Sequence, residues 1–239
     1  VALGNGLKQS MLDNYANYSS MTQIQISGGG YYFSSNSGSG QTEEKRLDDT
    51  FVQELLGMEH VKEVYPRLNI SAIAKVGKYA GHLDIYGITK EEFETMNVSI
   101  GKGKLPDSDT ELQFFYGNNV LTNFYVEKTN VYSFWETGVA PDIDLMEDAI
   151  FVIFDTDAYW RSQGGSDENG NPVKQPKKYL IEACGIMEGE LGEWNNNNSQ
   201  SVLCNMEALK SELKRIFKKN PIPGQPTRKN GKPYNELFY

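Results

Sequence analysis

Apolar positions along the chain follow two rhythms, one helical and one alternating. Leu3, Leu7, Met11, Tyr15 and Tyr18 keep helical spacing with Gln9 and Asp13 among the polar residues between them. This predicts a helix over 2–19, weakened in its first turn by Gly4 and Gly6. Residues 21–26 alternate as a half-buried strand does, and the Gly/Ser-rich stretch 27–42 predicts a flexible loop. A second helix is predicted over 47–57. Leu47, Phe51, Leu55 and Leu56 form its apolar face, Asp48 or Asp49 serves its first turn, and Gly57 stops it. Residues 61–76 then read as a strand bent near Pro66. Residues 82–88 are its hairpin partner across 77–81, and 91–96 form a short helix.

The texture changes over 101–178, where strands at 112–116 and 150–154 sit in loops rich in Asn, Asp and Gly. The first pattern returns afterwards. Residues 179–187 and 201–204 read as strands. Asn205 is placed to cap a helix over 206–219 whose apolar face is Met206, Leu209, Leu213, Ile216 and Phe217. A loop carrying Pro221, Pro223, Pro226 and Pro233 precedes a final apolar run at 235–239 that reads as a strand. The expected class is α+β: a discontinuous unit from 1–100 and 179–239, interrupted by a β-rich, loop-heavy subdomain over 101–178. The strand–helix units at the two ends could pair as a pseudo-repeat. The start at Val1 and the unfinished run at 235–239 lead us to expect a piece of a longer protein.

Composition narrows the partners. A formal charge of −9 over 239 residues argues against nucleic acid, which requires a basic surface, and against a flat face on anionic lipid. Fourteen Tyr and eleven Phe are too many for a disordered chain. Cys184 and Cys204 each lie in an apolar run and are expected as buried free thiols, with a bridge left open if their strands are neighbours. His60 and His82 stand far apart with no metal-ligand spacing, so no metal and no cofactor are expected. No run approaches the roughly 18 apolar residues of a membrane span.

Candidate chemistry is thin. Asp144, Glu147, Asp148, Asp155 and Asp157 form the densest carboxylate group, and Asp155-Thr156-Asp157 looks like the start of a calcium loop. Position 160 is Trp and position 166 is Ser, so the Gly and Glu that such a loop needs are missing, and caps and strand ends account for these carboxylates. No Ser/His/Asp set and no GxSxG is found, so catalytic residues are expected to be absent. Trp135, Trp160 and Trp194 lie in or near predicted loops, as packing anchors or as a platform for sugar or peptide.

Several stretches resemble, in order, one family. They are Ala2-Leu3-Gly4-Asn5-Gly6-Leu7-Lys8-Gln9-Ser10 with the strand after it, Val61-Lys62-Glu63-Val64-Tyr65-Pro66, Ile85-Tyr86-Gly87-Ile88, Ile100-Gly101-Lys102-Gly103-Lys104-Leu105-Pro106, and Ala183-Cys184-Gly185-Ile186. Together they resemble the MacB-type periplasmic core domain, the extracytoplasmic part of MacB/FtsX/LolC-like ABC transporter permeases. Two departures stand out: Gly103-Lys104 replaces an arginine-bearing turn, and the middle segment is longer and richer in Asn. The resemblance implies a porter-like subdomain interrupted by a β-rich one, carried on membrane helices before and after it. It implies a cytoplasmic ATPase subunit or domain, a homo- or heterodimer of permeases, and room for an adaptor protein. The domain would be extracellular or periplasmic and would relay ATP-driven movement for export or release of an antimicrobial peptide, drug or lipoprotein. Leu3, Leu7 and Met11 would then be the packing face of a stalk. The alternative is a secreted or surface-anchored glycan- or peptide-binding module.

Overall fold

The computed structural model describes residues 8, 24–26, 32–36, 42–164, 166, 170–171, 173–194 and 196–239. Leu3, Leu7 and Met11, the stalk face, lie outside the described residues. Of the strand expected over 21–26, residues 24–26 are described and are not a strand, with Ile24 exposed. The loop expected over 27–42 gives way to a two-stranded hairpin, β1 (Tyr32–Asn36) with β2 (Thr42–Arg46).

Helix α1 (Asp49–Leu56) starts where a carboxylate meets its free amides: Asp48 Oδ1 accepts from Thr50 N at 3.0 Å and Phe51 N at 3.1 Å. The long hairpin of β3 (Leu68–Val76) and β4 (Tyr79–Ile88) follows, its turn being only Gly77 and Lys78. That turn is tighter than the 77–81 connection expected, and Gly77 takes a φ of +53° there. Thr89 caps α2 (Lys90–Thr95). Next come β5 (Ile100–Gly103), β6 (Gln113–Tyr116), a 3-10 turn (Val120–Asn123), β7 (Phe124–Val126), α3 (Ser133–Thr137), β8 (Phe151–Ile153) and α4 (Thr156–Gln163). The chain ends with β9 (Tyr179–Leu180), β10 (Glu182–Met187), β11 (Val202–Asn205) and α5 (Met206–Phe217).

Nine strands form one curled sheet in the order β5-β10-β6-β11-β4-β3-β8-β9, with β7 on β4. The run expected as one strand over 179–187 breaks at Ile181. Its first part pairs with β8, while its second pairs with β6 and β5. Since β9 and β10 are separated by one residue, β6, β11, β4, β3 and β8 are joined into a ring by residues 179–187. Closure removes the free edges that an open sheet would leave on those strands. Residues 101–178 place β6 between β10 and β11 and β8 between β3 and β9. Their strands β6 and β8 are members of the ring. β4 and β11 lie side by side and parallel, Ile85 opposite Val202 and Ile88 opposite Asn205. Each continues into a capped helix, so the two strand–helix units are neighbours.

The main core lines one face of this sheet. Leu68, Ile70, Ala72, Ala74, Leu83, Ile85, Phe114, Tyr116, Val152 and Val202 are buried there, and α5 closes it with Leu209, Leu213 and Phe217. Strand β3 shows how the layers divide. Its even alternation holds from Leu68 to Ala72, then Ile73 on the other face is buried too, because Tyr125, Ile153 and Tyr159 of α4 cover it. A third cluster, Ile88, Phe93, Phe115, Cys184, Met187 and Leu203, sits under α2.

Residues 235–239 are not a strand. Phe238 is nevertheless fully buried, its N–H donating to Gln225 Oε1 at 2.8 Å and its carbonyl accepting from Gln225 Nε2 at 3.0 Å. One amide side chain thereby replaces a strand partner. Tyr239 N donates to Leu47 O at 2.8 Å.

Candidate functional site

Two of the stretches that carried the resemblance meet at a close backbone contact. Gly103 ends β5 with a φ of +77° and pairs with Gly185 of β10. A Cβ on Gly103 would stand 2.2 Å from the Cys184 carbonyl oxygen, and one on Gly185 would stand 2.6 Å from the Lys104 carbonyl oxygen. Gly87, on β4, lies under α5, where a Cβ would be 3.2 Å from Met206 Cα. Two stretches some eighty positions apart in sequence are therefore fitted to each other by glycines.

Three of the five clustered carboxylates, Asp144, Asp148 and Asp155, bond to local backbone amides. Asp155 Oδ1 accepts from Ala158 N at 2.9 Å and opens α4, while Asp144 Oδ1 accepts from Met146 N at 2.8 Å within a turn that Asp148 also closes. Among the described residues no group of three or more His, Cys, Asp or Glu side chains is placed to hold a metal ion. Cys184 and Cys204 are free and buried on the two strands that flank β6. Burial pushes the Cys184 thiol up to about 12 and Cys204 higher still, so neither is a thiolate at neutral pH. His60 is exposed beyond α1. His82 stacks on Trp160 at 5.5 Å and lies 5.9 Å from Tyr125.

The three tryptophans separate into two places. Trp160 lies on α4 against His82. Trp135 lies on α3, and its ring stacks with that of Trp194 at 6.2 Å and 20°. Phe134 backs Trp135 edge-on at 5.3 Å. Both stacked rings stay in contact with solvent, Trp135 at 58% and Trp194 at 42% exposure, and Val139 beside α3 is exposed as well. Beneath Trp194 a cleft of about 250 Å³ is lined by Asn196, Asn197, Ser199 and Gln200.

A polar clamp holds this ledge at the end of the ring where β6 and β10 finish and β11 begins. Asn119 is fully buried; its Nδ2 donates to Glu193 O at 2.7 Å and its Oδ1 accepts from Gly192 N at 2.7 Å. Asn118 Nδ2 donates to Glu190 O and Glu193 O at 3.0 and 2.9 Å. Gln200 Nε2 donates to Thr122 Oγ1 at 2.9 Å and Asn123 Oδ1 at 3.2 Å. Gly117 admits the approach of the loop, since a Cβ there would stand 2.2 Å from Ser199 O. Sequence reasoning found the tryptophans but not this clamp. Its one local trace is Gly117-Asn118-Asn119 directly after an apolar strand.

No protein-family model matches the chain, and no curated protein matches it. Among solved structures, the chain is similar to the extracellular domain of the noncanonic ABC-type transporter YknZ from Gram-positive bacteria. Identity is 11% and the TM-score 0.38, over 72% of this chain and 66% of that one. It is also similar to the periplasmic region of MacB from Actinobacillus actinomycetemcomitans, at 14% identity and a TM-score of 0.36, over 77% of this chain and 66% of that one. The chain spans just under two thirds of the length of either structure. Among the described residues no helix is long and apolar enough to cross a membrane.

Proposed function

We propose that the chain is the extracytoplasmic domain of an ABC transporter permease, extracellular or periplasmic according to the cell envelope, which relays ATP-driven movement to the outer side of the membrane. The observation that carries this reading is the fit of Gly103 against Cys184 and Gly185. Two of the stretches that resemble the permease family carry glycines, Gly103 and Gly185, that the fold requires. A closed ring of strands suits the task, because a packed body moves as a unit and switches between discrete arrangements instead of absorbing displacement. In this reading the domain carries no catalytic residue or cofactor. ATP hydrolysis belongs to a cytoplasmic partner, and two permeases act as a homo- or heterodimer, with an adaptor as a further partner. The cargo class is an antimicrobial peptide, a drug or a lipoprotein.

The test uses the whole protein from which these residues come. Its gene should encode apolar stretches of about 20 residues before and after this domain. Protein purified from membranes in detergent should carry an ATP-hydrolysing subunit or domain. Lack of either apolar stretch, or membrane-purified protein without associated ATPase activity, overturns the proposal.

A further inference from the structure

We infer that the ledge formed by Trp135 and Trp194, with the amide-lined cleft beneath it, is a binding site for a neutral saccharide. The observations are independent of the transporter reading. Two indoles from distant parts of the chain are brought face to face and yet left half in water. Packing anchors would be covered, since an indole contributes most when its large apolar surface is removed from water. Exposed aromatic surface held in a fixed place is a common mark of a binding site.

The cleft selects the ligand. Its polar lining is made of neutral amides and a serine: Asn196, Asn197, Ser199 and Gln200. Amides both donate and accept, as the hydroxyl groups of a sugar do, Gln200 offering its oxygen since its two N–H donors serve the clamp, while the flat indole receives the apolar C–H face of a pyranose ring. The surrounding charge is negative, with Glu136 on α3 and Glu190 and Glu193 on the clamped loop all exposed. That field disfavours phosphate- or carboxylate-bearing ligands. At about 250 Å³ the cleft falls just below the ~300 Å³ lower end of pockets for drug-sized ligands, which leaves room for one ring with its neighbours lying along the ledge.

The clamp prepares the site. Asn118, Asn119 and Gln200 fix the loop that carries Trp194 by at least five side-chain hydrogen bonds of 3.2 Å or less, so little ordering remains to oppose binding.

The experiment is a titration of the intact chain with hexasaccharides of glucose, mannose and N-acetylglucosamine, followed by tryptophan fluorescence and calorimetry. At least one should bind saturably. Trp194→Ala and Trp135→Ala should each weaken it about tenfold or more. Trp160→Ala, which lies at the other site, should leave it unchanged, and circular dichroism should show all three variants folded. Absence of binding by every sugar up to ~10 mM overturns the inference. So does affinity that survives in the double variant Trp135→Ala/Trp194→Ala, or saturation by a proline-rich decapeptide in place of the sugars.

Discussion

Gly103 rests directly on the carbonyl of Cys184: a methyl group added to Gly103 would sit 2.2 Å from that oxygen, on a backbone already at a φ of +77°. Gly138, at the end of α3, has nearly the same φ, +71°, with nothing within 4 Å of an added methyl. The pair separates backbone strain from steric fit. Gly138→Ala should cost about 1 kcal/mol, the price of the left-handed region for an L-residue. Gly103→Ala should cost at least ~3 kcal/mol, because β5 must also move off β10. Urea unfolding of both variants measures the difference, and equal losses would show that the β5–β10 contact gives way freely.

Arg67 and Glu92 make the best-buried ion pair among the described residues. Arg67 Nε donates to Glu92 Oε1 at 2.7 Å, its Nη2 reaches the same oxygen at 2.6 Å, and Glu92 is only 3% exposed. Burial still holds the Glu92 carboxyl above its usual range, against the lowering effect of Arg67. Arg67→Ala removes that lowering effect and leaves the carboxylate buried without its cation. The expected loss at pH 7 is about 2–3 kcal/mol, below the roughly 3–5 kcal/mol of a fully buried pair because Arg67 is one-third exposed. A carboxyl whose folded pKa is raised favours the folded state when protonated. The variant's deficit should therefore be largest at neutral pH and shrink as pH falls through the carboxylate range. Denaturant midpoints at pH 7 and pH 4 test this; a deficit that grows on acidification would contradict it.

Helices α1 and α5 were legible in the sequence because their determinants are local. A capping side chain, Asp48 or Asn205, stands directly before an apolar stripe, and the cap bonds form as expected. The β3–β4 pair was legible from alternation. What was not legible depends on distant partners. The break at Ile181 is invisible in an unbroken apolar run, because it arises only when one strand must serve both β8 and β6. Helix α4 was missed since it buries little besides Tyr159, and its first residues read as an acidic loop. The run at 235–239 has a strand's pattern, but Gln225 supplies the bonds a neighbouring strand would. Of the candidate site, the aromatic residues could be named in advance. Their pairing could not, for it depends on Asn119 reaching a loop more than seventy positions away.

His82 should make the fold sensitive to mild acid. The residue is exposed to solvent, yet its ring packs against Trp160 and Tyr125, and the desolvation this brings lowers its pKa, opposed more weakly by the charge of Asp84. A histidine with a depressed folded pKa is held neutral by the fold. Its contribution is present above the unfolded value of ~6.5 and is lost as pH falls through the folded one. Stability should therefore decline between about pH 7 and pH 5, and His82→Gln should flatten that part of the curve. The imidazole should titrate below ~6.5 by NMR; a midpoint above that value would reverse the sign and refute the prediction.

Asn119→Ala should loosen the ledge without dissolving the ring. The substitution removes the donor to Glu193 O and the acceptor from Gly192 N, both at 2.7 Å, from a position with no access to water. Leaving a buried donor or acceptor unpaired costs about 1–3 kcal/mol, so the expected total is ~2–3 kcal/mol. Asn118 still bonds Glu190 O and Glu193 O, and the loop should remain attached but less fixed. Trp194 should then move more freely against Trp135. Tryptophan emission should shift to the red, and amides near 190–194 should exchange hydrogen faster, while those of β3 and β4 keep their protection. Asn119→Asp makes the sharper comparison, since it keeps the acceptor for Gly192 N and turns the donor facing Glu193 O into a second oxygen. If the clamp holds the ledge as the geometry indicates, Asn119→Asp should destabilise at least as much as Asn119→Ala at pH 7. Unchanged emission and exchange in both variants would mean that Trp194 is held by the rest of its loop and not by Asn119.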